Sequence, residues 1–148
     1  MHTIGFLTEK TNRYTTFYCL FGIIMSAVLL VLGVRWIIPR DGLDGWPGVV
    51  LAVFGIVIGL SSSWNLWVMR NEVIGLELDR NNGFTLLRPS GQMQRNVQLT
   101  SRLFTFGCIR FGVPNDAGRI DYVVVRTSVG TVAIPVQLYN KAATLENA

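Results

Sequence analysis

Glu77 and Asp79 are the carboxylates whose spacing invites a chemical reading. Two residues apart on an extended segment, they project from one face, and paired acids can act as acid and base. The residues that follow, Arg80-Asn81-Asn82-Gly83, are turn formers, so the pair reads as the solvated edge of a hairpin. The other carboxylates, Glu9, Asp41, Asp44, Glu72, Asp116, Asp121 and Glu146, are scattered and sit mostly at turns. The sole histidine, His2, lies in an N-terminal tail expected to be disordered. No Gly-rich phosphate loop, HExxH or GxSxG occurs. Cys19 falls in an apolar run and Cys108 in a polar half, too unlike in setting to pair or share a metal. The expectation is a chain that is not an enzyme and takes no cofactor and no metal.

Arginine is the residue that recurs. Arg70, Arg80, Arg88, Arg95, Arg102, Arg110, Arg119 and Arg126 follow one another at intervals of seven to ten residues. They fit either a basic face for anionic headgroups or acidic protein, or solvent-facing alternates of strands. Residues 70–148 hold nine basic and six acidic side chains, a net charge of +3. That is too weak for a nucleic-acid partner, and no basic-aromatic stacking platform accompanies it.

The elements that must position these residues fall into two classes. Half the residues are hydrophobic and only 15% are charged, against about a quarter charged in a soluble domain. The deficit is local: Phe17 to Met69 holds Arg35, Arg40, Asp41 and Asp44 as its only charges. Two apolar runs, about residues 17–38 and 48–69, each match roughly 30 Å of helix, the thickness of a bilayer's hydrocarbon core. The first is too long for a signal peptide and ends in Arg-Trp-Ile-Ile-Pro-Arg, so it is expected to stay as an anchor. Pro39, Gly42, Gly45 and Pro47 break helix between the runs. The expected organisation is a tail and two-span hairpin over 1–71, then one β domain over 72–148.

Lys10, Arg13 and Arg70 flank the outer ends of the spans and put both termini on the cytoplasmic or stromal side. Tyr14, Tyr18, Trp64 and Trp67 fit that interface, and Trp36 and Trp46 the opposite one. The second span carries Gly48, Ala52, Gly55, Gly59 and Ser62 at spacings of 4, 3, 4 and 3, one helix face with a GxxxG step. Gly22, Ser26 and Gly33 offer small residues on the first span. Such faces let backbones approach, either between the two spans or against a helix of another protein.

Beyond Asn71 the pattern becomes short apolar runs separated by turns. Strands are expected at Val73–Leu78, Phe84–Leu87, Gln94–Leu99, Phe104–Val113, Arg119–Thr127 and Thr131–Val136, as an antiparallel meander. Ile120, Tyr122 and Val124 should share one face, and Val132, Ile134 and Val136 another. The fold class is therefore membrane α plus β: a two-helix hairpin followed by a pleckstrin-like half-barrel or open sheet. In pleckstrin-like folds a longer C-terminal helix plugs the barrel mouth. Gln137–Ala148 leaves room for one short helix at most, so a sheet edge or apolar face needs cover from the membrane, a second copy or a partner.

The ordered set of features resembles the photosystem I assembly proteins of cyanobacteria and chloroplasts, the family of hypothetical chloroplast frame four. The likeness spans roughly residues 10–138. It is carried by Gly59-Leu60-Ser61-Ser62-Ser63-Trp64-Asn65-Leu66-Trp67, by Leu78-Asp79-Arg80-Asn81-Asn82-Gly83-Phe84, by the Pro89-Ser90-Gly91 turn, and by Arg126, Gly130 and Ala133-Ile134-Pro135. The chain departs from the family after that segment, where members continue with an acidic-then-apolar helix and Val136–Ala148 stands here, so the resemblance is to a divergent or C-terminally shortened member. The resemblance implies a scaffold in a thylakoid or photosynthetic cytoplasmic membrane, holding newly made photosystem I subunits. Trp64, Trp67, Arg70, Arg80 and Arg88 would contact the partner, and Gly55, Gly59, Gly22 and Ser26 would pack helices. Competing readings are a pleckstrin-like module that binds lipid headgroups or a membrane partner, and a small accessory subunit of a photosynthetic or respiratory complex.

Overall fold

The computed structural model describes residues 2–3, 9–38, 45–79, 83–109 and 118–146. The chain divides into two compact units, Thr16–Trp67 and a second made of Met1–Thr15 with Val68–Ala148. The second unit therefore takes in N-terminal residues and the last turn of the second long helix, whereas the sequence placed the boundary at residue 71.

The first unit is built on α1 (Glu9–Ile37) and α2 (Trp46–Asn71). Both are long and apolar enough to cross a membrane, over Arg13–Ile37 and Trp46–Asn71. Most of their large side chains stay exposed, among them Phe17, Ile24 and Val31 on α1 and Val53, Phe54 and Leu60 on α2. A helix pair apolar on its outer surface presents a face that water does not favour. The helices touch along their small residues. A Cβ on Gly33 would lie 2.6 Å from the Gly48 carbonyl oxygen and 2.8 Å from the Ala52 nitrogen. Ser26 donates a 2.6 Å hydrogen bond from Oγ to the Gly55 carbonyl. In an apolar surrounding that bond satisfies a hydroxyl that would otherwise be costly.

Among its described residues the second unit holds seven strands and a helix. β1 (His2–Thr3), β2 (Gly75–Leu78), β3 (Phe84–Leu87) and β4 (Met93–Val97) form an antiparallel sheet in that order. β5 (Leu99–Ile109), β6 (Arg119–Thr127) and β7 (Gly130–Pro135) form a second antiparallel sheet, and α3 (Val136–Glu146) follows. His2 is thus not in a disordered tail: it pairs with Leu76, and Thr3 with Gly75. Two backbone residues beside a sheet edge gain hydrogen bonds that composition does not announce. The Asp79–Gly83 turn closes by a 2.7 Å bond from the Asp79 nitrogen to the Gly83 carbonyl. Arg80, Asn81 and Asn82 lie outside the described residues, as do the loop charges Arg40, Asp41 and Asp44 and the segment 110–117.

One meander was expected, and two sheets are found. Only Gln98 separates β4 from β5, so the chain turns a corner between sheets without a loop. The Ser128 nitrogen donates to the Gln98 carbonyl at 3.0 Å, and the Gln98 nitrogen to Ser128 Oγ at 3.2 Å, pinning that corner to the β6–β7 turn. β5 begins at Leu99, five residues before the expected Phe104. Its polar start, Thr100-Ser101-Arg102, resembles a loop in composition yet pairs with β6 through two register shifts. Val136 opens α3 rather than ending a strand. Tyr122 to Val125 are all buried, so β6, the middle strand, is covered on both faces and the expected one-sided alternation is lost. α3 packs on β2, β6 and β7 with Leu138 and Ala142, four apart, buried. An eleven-residue helix is marginal alone and draws its stability from that packing.

Asn96 adopts φ 57°, the one positive-φ non-glycine among the described residues. It lies in β4 near a register shift between Phe84 and Leu86. Asn96→Val is expected to lower the unfolding free energy by about 1–2 kcal/mol, since a β-branched residue resists that backbone. Asn96→Gly should be nearly neutral. Denaturant unfolding of the two variants checks the pair, and equal stabilities would exclude the backbone account.

Candidate partner-binding site

The residues proposed for partner contact fall into two small groups. Trp64 and Trp67, three apart on α2, stack with ring centroids 5.2 Å apart and planes inclined by 21°. The i, i+3 spacing brings them together, and Trp64 stays 38% exposed. Arg70 and Arg88 meet in the other unit. Arg88 Nη1 donates to the Arg70 carbonyl at 3.1 Å, and Nη2 reaches Gln94 Oε1 at 3.4 Å. Arg88 thereby caps the C-terminal end of α2, where free carbonyls carry partial negative charge. Its guanidinium is held by the fold, whereas Arg70 is the more exposed cation. Arg80 lies outside the described residues.

The residues named for helix packing are all engaged within the hairpin. Ser26 binds the Gly55 carbonyl, a Cβ on Gly59 would meet Ser26, and one on Gly22 would meet Ser62. The small-residue stripe of α2 is thus occupied by α1 of the same chain.

Glu77 and Asp79 border an open hollow of about 230 Å³ with Leu78, Thr85, Met93 and Arg95. Arg95 is the cation and Thr85 the hydroxyl that share this hollow with the two carboxylates. Among the described residues no group of three or more His, Cys, Asp or Glu could hold a metal ion. Cys19 and Cys108 are buried thiols, one in each unit.

Two features escaped the sequence reading. Glu72 is fully buried and accepts a 2.5 Å hydrogen bond from the Tyr122 hydroxyl. It also forms an isolated parallel bridge with Ala133, and the Val73 nitrogen donates to the Ala133 carbonyl at 3.0 Å. These contacts cover the outer edge of β7. The second feature is a groove of about 150 Å³ between the start of β5 and α3, lined by Leu99 to Arg102, Tyr139, Ala142 and Ala143, with Phe84 and Val125 at its base. Arg102 stands beside it. Its Nη2 donates to Thr105 Oγ1 at 2.7 Å, and its guanidinium carbon lies 5.9 Å from the Tyr139 ring centroid. Only the apolar spacing of Leu138 and Ala142 hinted at a helix there.

Comparison with family models, curated proteins and solved structures gives no match to this chain.

Proposed function

We propose that this chain is a non-enzymatic membrane scaffold. Its two apolar helices cross the bilayer as a hairpin, with both termini cytoplasmic or stromal, and a pleckstrin-like β module holds other molecules at that surface. The observation that carries the reading is the order of elements around the hairpin: a four-stranded antiparallel sheet, a three-stranded one, and α3 packed against β2, β6 and β7. The lipid-facing side chains of the hairpin support its half of the reading, since so much exposed apolar surface finds its favourable solvent in hydrocarbon.

Newly made photosystem I subunits are the clients that the sequence resemblance supplies. The second reading takes anionic lipid headgroups as the ligand. The exposed Arg95, Arg102 and Arg126 favour it.

Alkaline carbonate extraction, then affinity purification of the tagged chain from native membranes with mass spectrometry, tests the proposal. The chain should stay in the membrane pellet and enrich photosystem I polypeptides substoichiometrically. Salt-sensitive binding of the full chain to anionic vesicles, with no photosystem polypeptide enriched, selects the second reading. Release by carbonate overturns both.

A further inference from the structure

The two edges of the second sheet differ. β7's outer edge is covered by the Glu72–Ala133 bridge and the Val73 bond. β5, eleven residues long, pairs with β6 alone among the described residues. A strand at a sheet edge presents a row of backbone donors and acceptors that another extended segment can complete. Natural edges are usually blunted by proline or by several charges, and the 99–105 stretch has no proline and one charge, Arg102. Thr100 to Thr105 are all exposed, with Leu103 half exposed.

The groove between this stretch and α3 adds a pocket to that edge. A volume of about 150 Å³ accommodates one medium apolar side chain. Among the described residues Arg102 beside it has a hydroxyl and a ring for partners and no carboxylate, so its charge is open to an acidic ligand. The charge balance of residues 70–148, net +3, points the same way.

We propose that the Thr100–Thr105 edge of β5 captures an extended acidic peptide segment of a partner protein by strand addition. The peptide would place an apolar side chain in the groove and a carboxylate on Arg102. Side chains of a strand alternate, so anchor and acid must stand two residues apart on the face toward α3. Backbone pairing supplies affinity, and the pocket and Arg102 supply selectivity. The inference rests on the scaffold reading and names the chemistry of its client.

The test uses the full chain in detergent micelles and dye-labelled ten-residue peptides of alternating valine and threonine. One peptide carries a central aspartate, one a central lysine, and one the aspartate with alternate backbone amides N-methylated. Fluorescence anisotropy should rank the aspartate peptide about tenfold tighter than the lysine peptide. N-methylation should abolish binding. Arg102→Glu, on an exposed side chain, should reverse the order of aspartate and lysine. Equal binding of the N-methylated peptide, or an order unmoved by Arg102→Glu, overturns the proposal. So does a dimer joined through β5 that peptides do not compete, or vesicle binding through Arg102 with no peptide bound. Peptide binding that survives while carbonate extraction releases the chain would sink the membrane scaffold and leave strand addition standing.

Discussion

Gly33→Leu is expected to force the two apolar helices apart. A Cβ at this position already falls 2.6 Å from the Gly48 carbonyl oxygen and 2.8 Å from the Ala52 nitrogen. Both obstacles are backbone, which no rotamer change can move. The whole of α2 must shift, and the shift breaks the 2.6 Å bond from Ser26 to the Gly55 carbonyl. Overpacking of a well-fitted site costs about 1–3 kcal/mol, and loss of the buried hydrogen bond adds about 1 kcal/mol. The sum is about 3 kcal/mol, large for a two-helix unit. Val31→Leu is the control, since Val31 is 63% exposed on the outer surface of α1. Thermal melting of the full chain in detergent, followed by helical circular dichroism, reads both. Gly33→Ala should fall between wild type and Gly33→Leu. A Gly33→Leu protein that melts with wild type would show that the close approach does not hold the hairpin.

The hairpin was the legible half of this molecule because lipid-length helices are written in composition. The 4, 3, 4, 3 spacing of small residues named the contact face, yet spacing cannot say whose helix fills it; the Gly33–Gly48 approach and the Ser26–Gly55 bond assign it to α1. The strands with strong turn chemistry, β2, β3, β6 and β7, were also legible. What stayed hidden depended on partners far along the chain. Thr100-Ser101-Arg102 becomes strand only because Thr127 to Val125 lie beside it. His2 and Thr3 become strand only because Leu76 and Gly75 offer an edge. Glu72 read as one of the scattered carboxylates, and nothing local tells that a tyrosine fifty residues on will cover it. Tyr122 carried half the signal: a hydroxyl in the run Ile120 to Val125 needs a partner once buried.

That pair supports the other large prediction. Tyr122 and Glu72 both have 0% exposure, and the Tyr122 hydroxyl donates to Glu72 Oε1 at 2.5 Å. Tyr122 also stacks on Phe106 at 5.8 Å with planes 18° apart, so its ring is fixed independently of its hydroxyl. Tyr122→Phe keeps that stack and removes only the donor facing a buried carboxyl oxygen. The expected loss is about 2 kcal/mol, the cost of withdrawing one partner from a buried polar group. Glu72→Ala should cost more, about 3 kcal/mol, because it adds a cavity beside β7 to the loss of the hydroxyl's acceptor. Against a total of about 5–15 kcal/mol for a small domain, either loss is a large share. Glu72→Ala with Tyr122→Phe removes both polar groups and should recover about 1–2 kcal/mol relative to the sum of the single changes. Urea unfolding of the full chain, followed by the sheet signal in circular dichroism, measures the cycle. A coupling energy near zero would mean that Glu72 and Tyr122 are merely neighbours. A coupling of the expected size would show that the residue directly after the second apolar helix is locked into the sheet core.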